Sequence, residues 1–297
     1  MKKKRNCGAF YLMLLVPTTL LFIYSYIPML GIVIAFMNYK PALGFSKAEF
    51  VGMENFRILF NNPGFIQSIG NTVVIAFWKI ILGLIVPVIF ALLLNEIRNS
   101  LAKRIAQTII YLPHFISWVL MAGIIVDVFA MPNGIVNKIL GVFGIDPIFF
   151  LGSNEWFQPM IIITDIWKGF GWGTIIYMAA LSGVDMNLYE AAVIDGAGRW
   201  KQTLYVTIPA IVPTIILVTT LSLGNVLNAG FDQVFNLLSP ITLESGDIID
   251  TFVYRMGMES AQFSLSTAAG LFKSVVSIFF ITLSYKLAYK FAGYTIF

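Results

Sequence analysis

An acid, a glycine and an indole recur along one face of an apolar stretch in the middle of the chain. They are Asp165, Gly169 and Trp172, at spacings i, i+4 and i+7, which place all three on the same side of an α-helix. A carboxylate binds paired hydroxyl groups, an aromatic ring covers an apolar C–H surface, and a glycine leaves a gap between them. The pattern favours a binding surface for a hydroxyl-rich ligand such as a sugar.

A second polar face lies in the next apolar stretch, where the residues at every third position are Ser222, Asn225 and Asn228. If the two stretches are neighbouring antiparallel helices, Trp172 lies near the depth of Ser222, and Asp165 lies nearer Asn228. The two faces would then line one cavity. The alternative is that serine and asparagine in such a helix hydrogen-bond to neighbouring helices and bind no ligand.

Asp165 also has an alternative role, because Lys168 follows it at i+3, where the two side chains would form an intrahelical ion pair. Charged residues inside apolar helices otherwise face a cavity or a partner. The other charged residues in the apolar stretches are Lys79, Asp127 and Lys273. Asp127 and Lys273 lie near the ends of their stretches, within reach of water. The sequence alone assigns no role to Lys79.

Catalytic and metal chemistry lack the residues that they need. The chain has one cysteine, Cys7, and one histidine, His114, so it can form neither a disulfide nor a Cys/His metal site. A G-x-x-x-x-G-K-[ST] loop, which would cradle a triphosphate, is absent from the sequence. We therefore expect no enzymatic activity, no metal and no cofactor bound by this chain.

The elements that position these residues are six apolar runs. Hydrophobic residues make up 58% of the 297 residues and charged residues 11%, whereas a soluble domain has roughly 25% charged residues. Each run is long enough to cross a bilayer as a helix, which takes roughly 20 residues. The sequence predicts an all-α integral membrane protein with a single domain, 1–297, and spans at about 10–36, 72–94, 107–130, 159–181, 208–231 and 267–290.

Lysine and arginine residues orient these spans, because they are retained on the cytoplasmic side of short loops. With both termini inside, eleven basic residues lie in the inner segments: Lys2, Lys3, Lys4, Arg5, Arg98, Lys103, Arg104, Arg199, Lys201, Lys286 and Lys290. Five lie in the outer segments: Lys40, Lys47, Arg57, Lys138 and Arg255. The distribution predicts an N-in, C-in topology, and the net charge of +4 gives no reason to invoke nucleic acid.

A long polar segment, at about 183–207, lies on the predicted cytoplasmic side between the fourth and fifth spans. Asn187 and Glu190 have the spacing of a capping box at the start of a short helix. We expect that helix over 188–195, a sharp turn at Gly196 and Gly198, and a second short helix over 200–206. Pro209 suits the first turn of the fifth span, where its missing N–H costs nothing.

This segment resembles the cytoplasmic signature of permease subunits of ATP-binding-cassette importers of the carbohydrate type. That signature reads E-A-A, three residues, G, nine residues, I-x-L-P. The matching residues here are Glu190, Ala191, Ala192, Gly196, Val206, Ile208 and Pro209. Further resemblance covers VGMENF at 51–56, NT at 71–72 and YLPHFISW at 111–118. The chain is similar to the maltose-permease group as a whole, and most similar to the LplB-like oligosaccharide and polysaccharide permeases.

The resemblance implies a type I importer fold in the cell membrane, in which the polar segment fits a groove of an ATPase subunit. The residues implied to couple with the ATPase are Glu190, Ala191, Ala192, Asp195, Gly196, Ala197 and Pro209. It also implies two ATPase subunits that bind ATP and Mg²⁺, a second and different permease chain, and an extracytoplasmic solute-binding protein. Sugar contacts are implied on the fourth and fifth spans, where Asp165, Gly169 and Trp172 fall on matching positions.

Two alternatives remain at this stage. The first is an importer of the same class that carries an amino acid or phosphate in place of a sugar. An ion-coupled secondary transporter would reuse intramembrane charges as ion sites, but it predicts inverted repeats and no partner-binding loop.

Overall fold

The computed structural model of this chain describes residues 8–224 and 226–292 and is mostly helical. The α-helices in chain order are α1 Gly8–Leu21, α2 Ile27–Met29, α3 Glu54–Phe60, α4 Pro63–Glu96, α5 Ser100–Tyr111, α6 Trp118–Phe129, α7 Ile135–Val142, α8 Asn154–Ser182, α9 Met186–Ile194, α10 Arg199–Gln202, α11 Ile208–Leu223, α12 Phe231–Leu237, α13 Leu243–Gly246, α14 Ile249–Tyr254 and α15 Phe263–Ala292. The 3₁₀ turns are Leu30–Phe36, Pro41–Leu43, Phe45–Lys47, Leu112–Phe115 and Pro240–Thr242. The π-helical turns are Phe22–Tyr26, Thr203–Thr207 and Arg255–Glu259.

The chain divides into two compact units. The first comprises residues up to Pro63 together with Phe252–Phe272, and the second comprises Gly64–Thr251 together with the residues from Lys273 onward. The first unit contains a short antiparallel pair of strands, β1 Met37–Asn38 and β2 Glu49–Phe50. The buried Asn55 side chain donates hydrogen bonds to the carbonyl oxygens of Ala35 and Met37, at 2.8 and 3.0 Å. Asn55 of the VGMENF stretch therefore fixes the end of the first long helix.

The hydrophobic core of the second unit forms where α4, α6, α8 and α12 contribute apolar side chains. Its buried members include Ile75, Met121, Ile125, Phe157, Ile161 and Val234. Close packing of such residues fixes the separation of the helices to within a methyl group. The polar residues that project from these helices are held on a rigid frame as a result.

The NT dipeptide at 71–72 joins α4 to the segment that precedes α14. The Asn71 amide donates to the carbonyl oxygens of Glu244 and Asp247, each at 3.0 Å. The Thr72 hydroxyl accepts a hydrogen bond from the Ile249 amide at 2.9 Å. Both side chains are buried, so they satisfy backbone groups that would otherwise be left without partners.

Four of the helical stretches in the described residues are long and apolar enough to cross a membrane: Tyr11–Phe36, Pro63–Glu96, Arg199–Leu223 and Phe263–Lys286. A fifth is added if the bent pair Ser100–Phe115 and Trp118–Phe129 counts as one span. The predicted fourth span, 159–181, lies within the 29-residue helix α8. Asp165, Lys168 and several glycines lower the hydropathy of α8 below that of the others. The described residues therefore contain four or five clearly apolar spans.

The predicted third span, 107–130, is broken rather than only kinked. Its two halves meet at an angle of 105°. Pro113 lies in the 3₁₀ turn Leu112–Phe115, and Ile116 and Ser117 follow in extended conformations. The Ser117 hydroxyl then accepts a hydrogen bond from the Leu120 amide and caps α6. A proline and a strong N-cap within five residues end one helix and begin another.

The predicted fifth span, 208–231, is wrong at both ends. Its helix begins at Arg199 and ends at Leu223. Gly230 has a φ of +92°, a left-handed conformation that is open mainly to glycine, and α12 starts a new helix directly after it. Asn228 therefore lies in the irregular segment beyond the helix, and the every-third-residue face does not continue to it. Asn225 lies outside the described residues.

Candidate functional site

A cavity of about 330 Å³ in the second unit brings together residues from α4, α8, the end of α11 and the segment before α12. Its lining includes Asp165, Ser222 and Asn228. Three of the residues predicted to form one site thus share one cavity. The geometry differs from the predicted one, because Asn228 lines the cavity from the irregular segment before α12 and not from a helix face.

Lys79 is at the wall of this cavity and is the residue that sequence reasoning left without a role. Its ammonium lies 3.3 Å from Oδ1 of Asp165. It also donates hydrogen bonds to the Ala229 carbonyl oxygen at 2.7 Å and to Oε1 of Gln233 at 2.6 Å. The side chain is 9% exposed, whereas that of Asp165 is 32% exposed. The three acceptors offset part of the cost of removing this ammonium from water.

Gln233 continues the same polar network into the core. It is completely buried, and its amide nitrogen donates to the Ile161 carbonyl oxygen at 2.7 Å and to the Thr164 hydroxyl at 2.8 Å. The sequence interpretation missed Gln233 because the predicted spans leave 232–266 in an outer segment. The signal that was available was Lys79 itself, since a lysine in an apolar helix requires acceptors nearby.

The proposed intrahelical pair between Asp165 and Lys168 is replaced by other partners. Asp165 faces Lys79, while the Lys168 ammonium donates to the His114 carbonyl oxygen at 3.1 Å. The same ammonium lies 5.1 Å from the ring centroid of Trp118, within the range of a cation–π interaction. Lys168 therefore secures the broken third span against α8.

Trp172 stacks on the imidazole of His114, with ring centroids 4.6 Å apart and planes within 5°. About half of the Trp172 side chain remains exposed. Trp172 and Gly169 are absent from the lining of the cavity that contains Asp165, although helical spacing places them on the same face of α8. A Cβ added at Gly169 would meet no atom within 4 Å, so this glycine leaves open space.

The polar segment between α8 and α11 forms a bent elbow, which we define as residues 185–209. The capping residue of α9 is Asp185, whose carboxylate accepts a hydrogen bond from the Asn187 amide at 2.9 Å. The predicted Asn187–Glu190 capping box is therefore wrong by two residues. The physical reason is that α9 begins at Met186, which makes Asp185 the residue whose side chain reaches the free N–H groups.

α9 ends in a Schellman motif at Gly196, which has a φ of +75°. The Ala197 amide donates to the Ala192 carbonyl oxygen at 2.8 Å, and the Gly196 amide donates to the Val193 carbonyl oxygen at 3.0 Å. A residue with a side chain would be strained in this conformation. The prediction of a sharp turn at Gly196 is confirmed, whereas Gly198 has an ordinary φ of −67°.

The second arm of the elbow is continuous with the fifth span. Helical structure runs from Arg199 to Leu223, and Pro209 follows the π-helical turn Thr203–Thr207 within that stretch. The predicted separate helix over 200–206 is thus the first part of the span itself. The second arm and this candidate span are therefore one continuous helical stretch.

Two side-chain contacts brace the elbow. The Tyr189 hydroxyl lies 2.9 Å from the Thr207 hydroxyl and joins the two arms. The Arg199 guanidinium donates to Oε2 of Glu96 at 3.0 Å and joins the elbow to the end of α4. Between these braces lie most of the residues that the resemblance implies for coupling. Four of them are exposed, namely Glu190, Ala191, Asp195 and Gly196, and two are half-buried, namely Ala192 and Ala197. Pro209, farther along, is exposed as well.

Comparison with known proteins places this geometry in context. Residues 83–291 match the family model described as binding-protein-dependent transport system inner membrane component. Protein LplB of Bacillus subtilis (strain 168) is 44% identical over 280 residues, which cover 94% of this chain and 88% of that protein. The polygalacturonan/rhamnogalacturonan transport system permease protein YteP of the same organism is 42% identical over 281 residues, which cover 95% and 88% of the two chains.

A solved structure has a similar fold over nearly the whole chain. It is a crystal structure of a bacterial ABC transporter involved in the import of the acidic polysaccharide alginate. The match has a TM-score of 0.89 and 35% sequence identity and covers 97% of both chains. A second structure is of the bacterial alginate ABC transporter in complex with a periplasmic protein bound to alginate pentasaccharide. It matches with a TM-score of 0.88 and 35% identity, over 96% of both chains.

Proposed function

Since this chain belongs to the family of binding-protein-dependent transport system inner membrane components, we propose that it forms half of the translocation pathway of an ATP-driven carbohydrate importer. It is a multi-pass protein of the cytoplasmic membrane with the type I ABC importer permease fold. The family is a transport permease and not an enzyme, and ATP hydrolysis belongs to a separate ATPase subunit.

The cargo we propose is an oligosaccharide or a polysaccharide fragment. The observation that carries it is the cavity into which Asp165, Ser222 and Asn228 converge, because a carboxylate, a hydroxyl and an amide together offer the donors and acceptors that sugar hydroxyls need. The relatives named for polygalacturonan and alginate transport support this cargo. Gly169 and Trp172, on the same face of α8, belong to the proposed path to the cavity, and Asn225 belongs to it by position in the sequence.

The topology we propose is six membrane-crossing helices with both termini inside. α8, the fourth span in chain order, completes the six, since it has the length to cross the bilayer. The two charged residues in its middle have partners within the protein, namely Lys79 for Asp165 and the His114 carbonyl oxygen for Lys168. In this orientation the elbow and the end of α4 lie in the cytoplasm.

The elbow is proposed as the contact with the ATPase. Glu190, Ala191, Ala192, Asp195, Gly196, Ala197 and Pro209 are the coupling residues in this proposal. Two ATPase subunits, which hold ATP and Mg²⁺, would close and carry two elbows inward. One chain supplies one elbow, so a second permease is required, and we propose that it is a different chain. An extracytoplasmic binding protein delivers the sugar, as supported by the complex of the similar alginate importer with its periplasmic protein.

Purification of the intact complex tests this function. A complex isolated through this chain should contain, by mass spectrometry, a second permease, an ATPase and a solute-binding protein. The isolated binding protein should then bind oligosaccharides when it is tested against a panel of ligands that also contains amino acids and phosphate. Isolation of a binding protein that takes only amino acids or phosphate would replace the sugar with another cargo.

Replacement of Trp172 by alanine should impair transport without impairing assembly. The indole is half-exposed and stacks on His114. Stacking of an aromatic side chain on a nucleic-acid base is worth about 1–3 kcal/mol by alanine substitution, and we take the lower end of that range for the C–H face of a sugar. We expect the half-saturating sugar concentration for uptake to rise about fivefold to tenfold, with Trp172→Phe close to wild type. Unchanged uptake kinetics in the alanine variant would remove Trp172 from the path.

Charge reversal of either partner in the brace between Arg199 and Glu96 should weaken coupling modestly. Both side chains are more than half exposed, and exposed ion pairs contribute only about 0.2–1 kcal/mol. Arg199→Glu and Glu96→Arg should each lower the sugar-stimulated ATP turnover by about twofold to fivefold, while the doubly exchanged variant should regain most of it. If the double variant is no better than the singles, the brace does not transmit force.

A further inference from the structure

The ammonium of Lys79 has no free donor for a ligand. A lysine ammonium carries three N–H groups, and three acceptors surround this one: the Ala229 carbonyl oxygen, Oε1 of Gln233 and Oδ1 of Asp165, at 2.7, 2.6 and 3.3 Å. Asp165 is the most distant of the three and the one with substantial exposure. Lys79 therefore directs its charge at the carboxylate that faces the cavity.

We propose that Lys79 is a positioning residue, which holds the Asp165 carboxylate so that the cavity binds saccharide hydroxyl groups and not saccharide carboxylates. This inference rests on the proposed function and defines the chemical group that the cavity accepts. Lys79 and Asp165 are the charged residues among the described residues that line the cavity. Their charges cancel, so a carboxylate in the cavity would meet Asp165 without a free cation to offset it.

The hydrogen-bonding groups of the lining match hydroxyl groups as well. Asp165 offers acceptors only, whereas the Asn228 amide offers both donors and acceptors. A hydroxyl group donates to the first and accepts from the second. A substrate carboxylate offers acceptors only and satisfies just one of them. An acidic oligosaccharide would thus be held in this cavity through its hydroxyl groups, with its carboxylates elsewhere.

Gly230 is an independent sign that the wall is built around the ammonium. Its φ of +92° belongs to the left-handed region, and a Cβ added there would lie 2.9 Å from Nζ of Lys79. A side chain at this position would push the ammonium away from the Ala229 carbonyl oxygen. The glycine permits the Ala229 carbonyl oxygen and the ammonium to approach each other, and Gly230→Ala displaces Lys79 without a change of charge.

The experiment uses the complete complex in proteoliposomes, with its ATPase and binding protein. ATP turnover is measured against maltotetraose, tetragalacturonate and the methyl ester of tetragalacturonate, and each variant is compared with wild type on the same sugar. Loss of a hydrogen bond to a charged group corresponds to a decrease in affinity of about tenfold to a hundredfold. We expect Lys79→Met to raise the sugar concentration that half-saturates ATP turnover by at least about tenfold for every sugar that stimulates the wild-type complex. The factor should be the same for sugars with carboxylates and sugars without them. Lys79→Arg should recover part of that loss.

Lys273→Met is the matched control. Lys273 donates to Oδ2 of Asp250 at 2.7 Å, so this variant also breaks a partly buried ion pair, but Lys273 does not line the cavity. Its half-saturating concentration should stay near that of wild type. If Lys79→Met does not assemble, Gly230→Ala carries the test, with an expected rise of about threefold or more.

Each other outcome overturns a defined claim. An assembled Lys79→Met or Gly230→Ala complex with an unchanged half-saturating concentration reduces Lys79 to a structural role and overturns the inference alone. A loss much larger for tetragalacturonate than for its ester shows that Lys79 binds the substrate carboxylate, which also overturns it. A wild-type complex that responds to none of the oligosaccharides overturns the proposed function, and the inference with it.

Discussion

Glu190→Arg should abolish uptake while the permease remains folded in the membrane. Glu190 is exposed on α9, and surface substitutions of this kind change stability by only about 0.5 kcal/mol or less. The proposed contact with the ATPase is different, because an arginine there must be desolvated against a surface that is shaped for a carboxylate. Loss of one partner of a buried interfacial charge pair costs about 2–5 kcal/mol, which corresponds to about thirtyfold to several thousandfold in affinity.

Uptake and subunit composition measure this effect together. We expect sugar uptake to fall about a hundredfold and the ATPase to be lost during purification through this chain. The reason is that the substitution removes at least one contact from the proposed interface. Asp146→Arg is the matched control, because Asp146 is also an exposed acid but lies outside the elbow. Normal co-purification and normal uptake with Glu190→Arg would mean that α9 does not contact the ATPase through this residue.

Gly171→Val should destabilise the permease strongly, because the added side chain would meet the backbone at the end of α5. A Cβ at Gly171 would lie 2.6 Å from the carbonyl carbon of Ile110, closer still to the carbonyl oxygen, and 3.2 Å from the Tyr111 amide nitrogen. These are backbone atoms at the end of α5 that cannot rotate away. Overpacking typically costs about 1–3 kcal/mol, and more where the backbone must shift, so we expect a cost near or above 3 kcal/mol.

Thermal unfolding in detergent is the appropriate measurement. At about 2–4 °C per kcal/mol for a chain of this size, Tm should fall by roughly 10 °C for Gly171→Val and by a smaller amount for Gly171→Ala. The control is Gly123→Ala in α6, where an added Cβ meets nothing within 4 Å and helix propensity favours alanine by about 1 kcal/mol. Equal melting temperatures for the two alanine variants would show that α5 moves aside freely.

The long helices were predictable because apolar composition is a local property of the sequence. The stretches 10–36, 72–94 and 267–290 each fall within, or within a residue or two of, a helix of the structure. The elbow was also predictable, since Gly196 sits where only a residue without a side chain is unstrained, and its Schellman motif involves neighbours in sequence. Local rules succeed wherever the partners are within a few residues.

The helix ends and the polar wall were not predictable by the same rules. The break at Ile116 and Ser117 depends on a cap that competes with continued helix, and a hydropathy average spans the break without detecting it. Lys79 contacts Asp165 and Gln233, which are 86 and 154 positions away along the chain. Such a pairing is a property of the packed helices, so the sequence interpretation gave Asp165 the neighbour Lys168 instead.

The elbow also has a consequence for how the protein is made. Ile194 is 85% exposed and Trp200 is 80% exposed, and both lie beside the polar residues proposed to meet the ATPase. Large apolar side chains in water promote aggregation and attract chaperones and proteases. A copy synthesised in excess of its ATPase would display them to the cell's quality-control machinery. We expect cells to match the synthesis of the two subunits and to degrade the surplus.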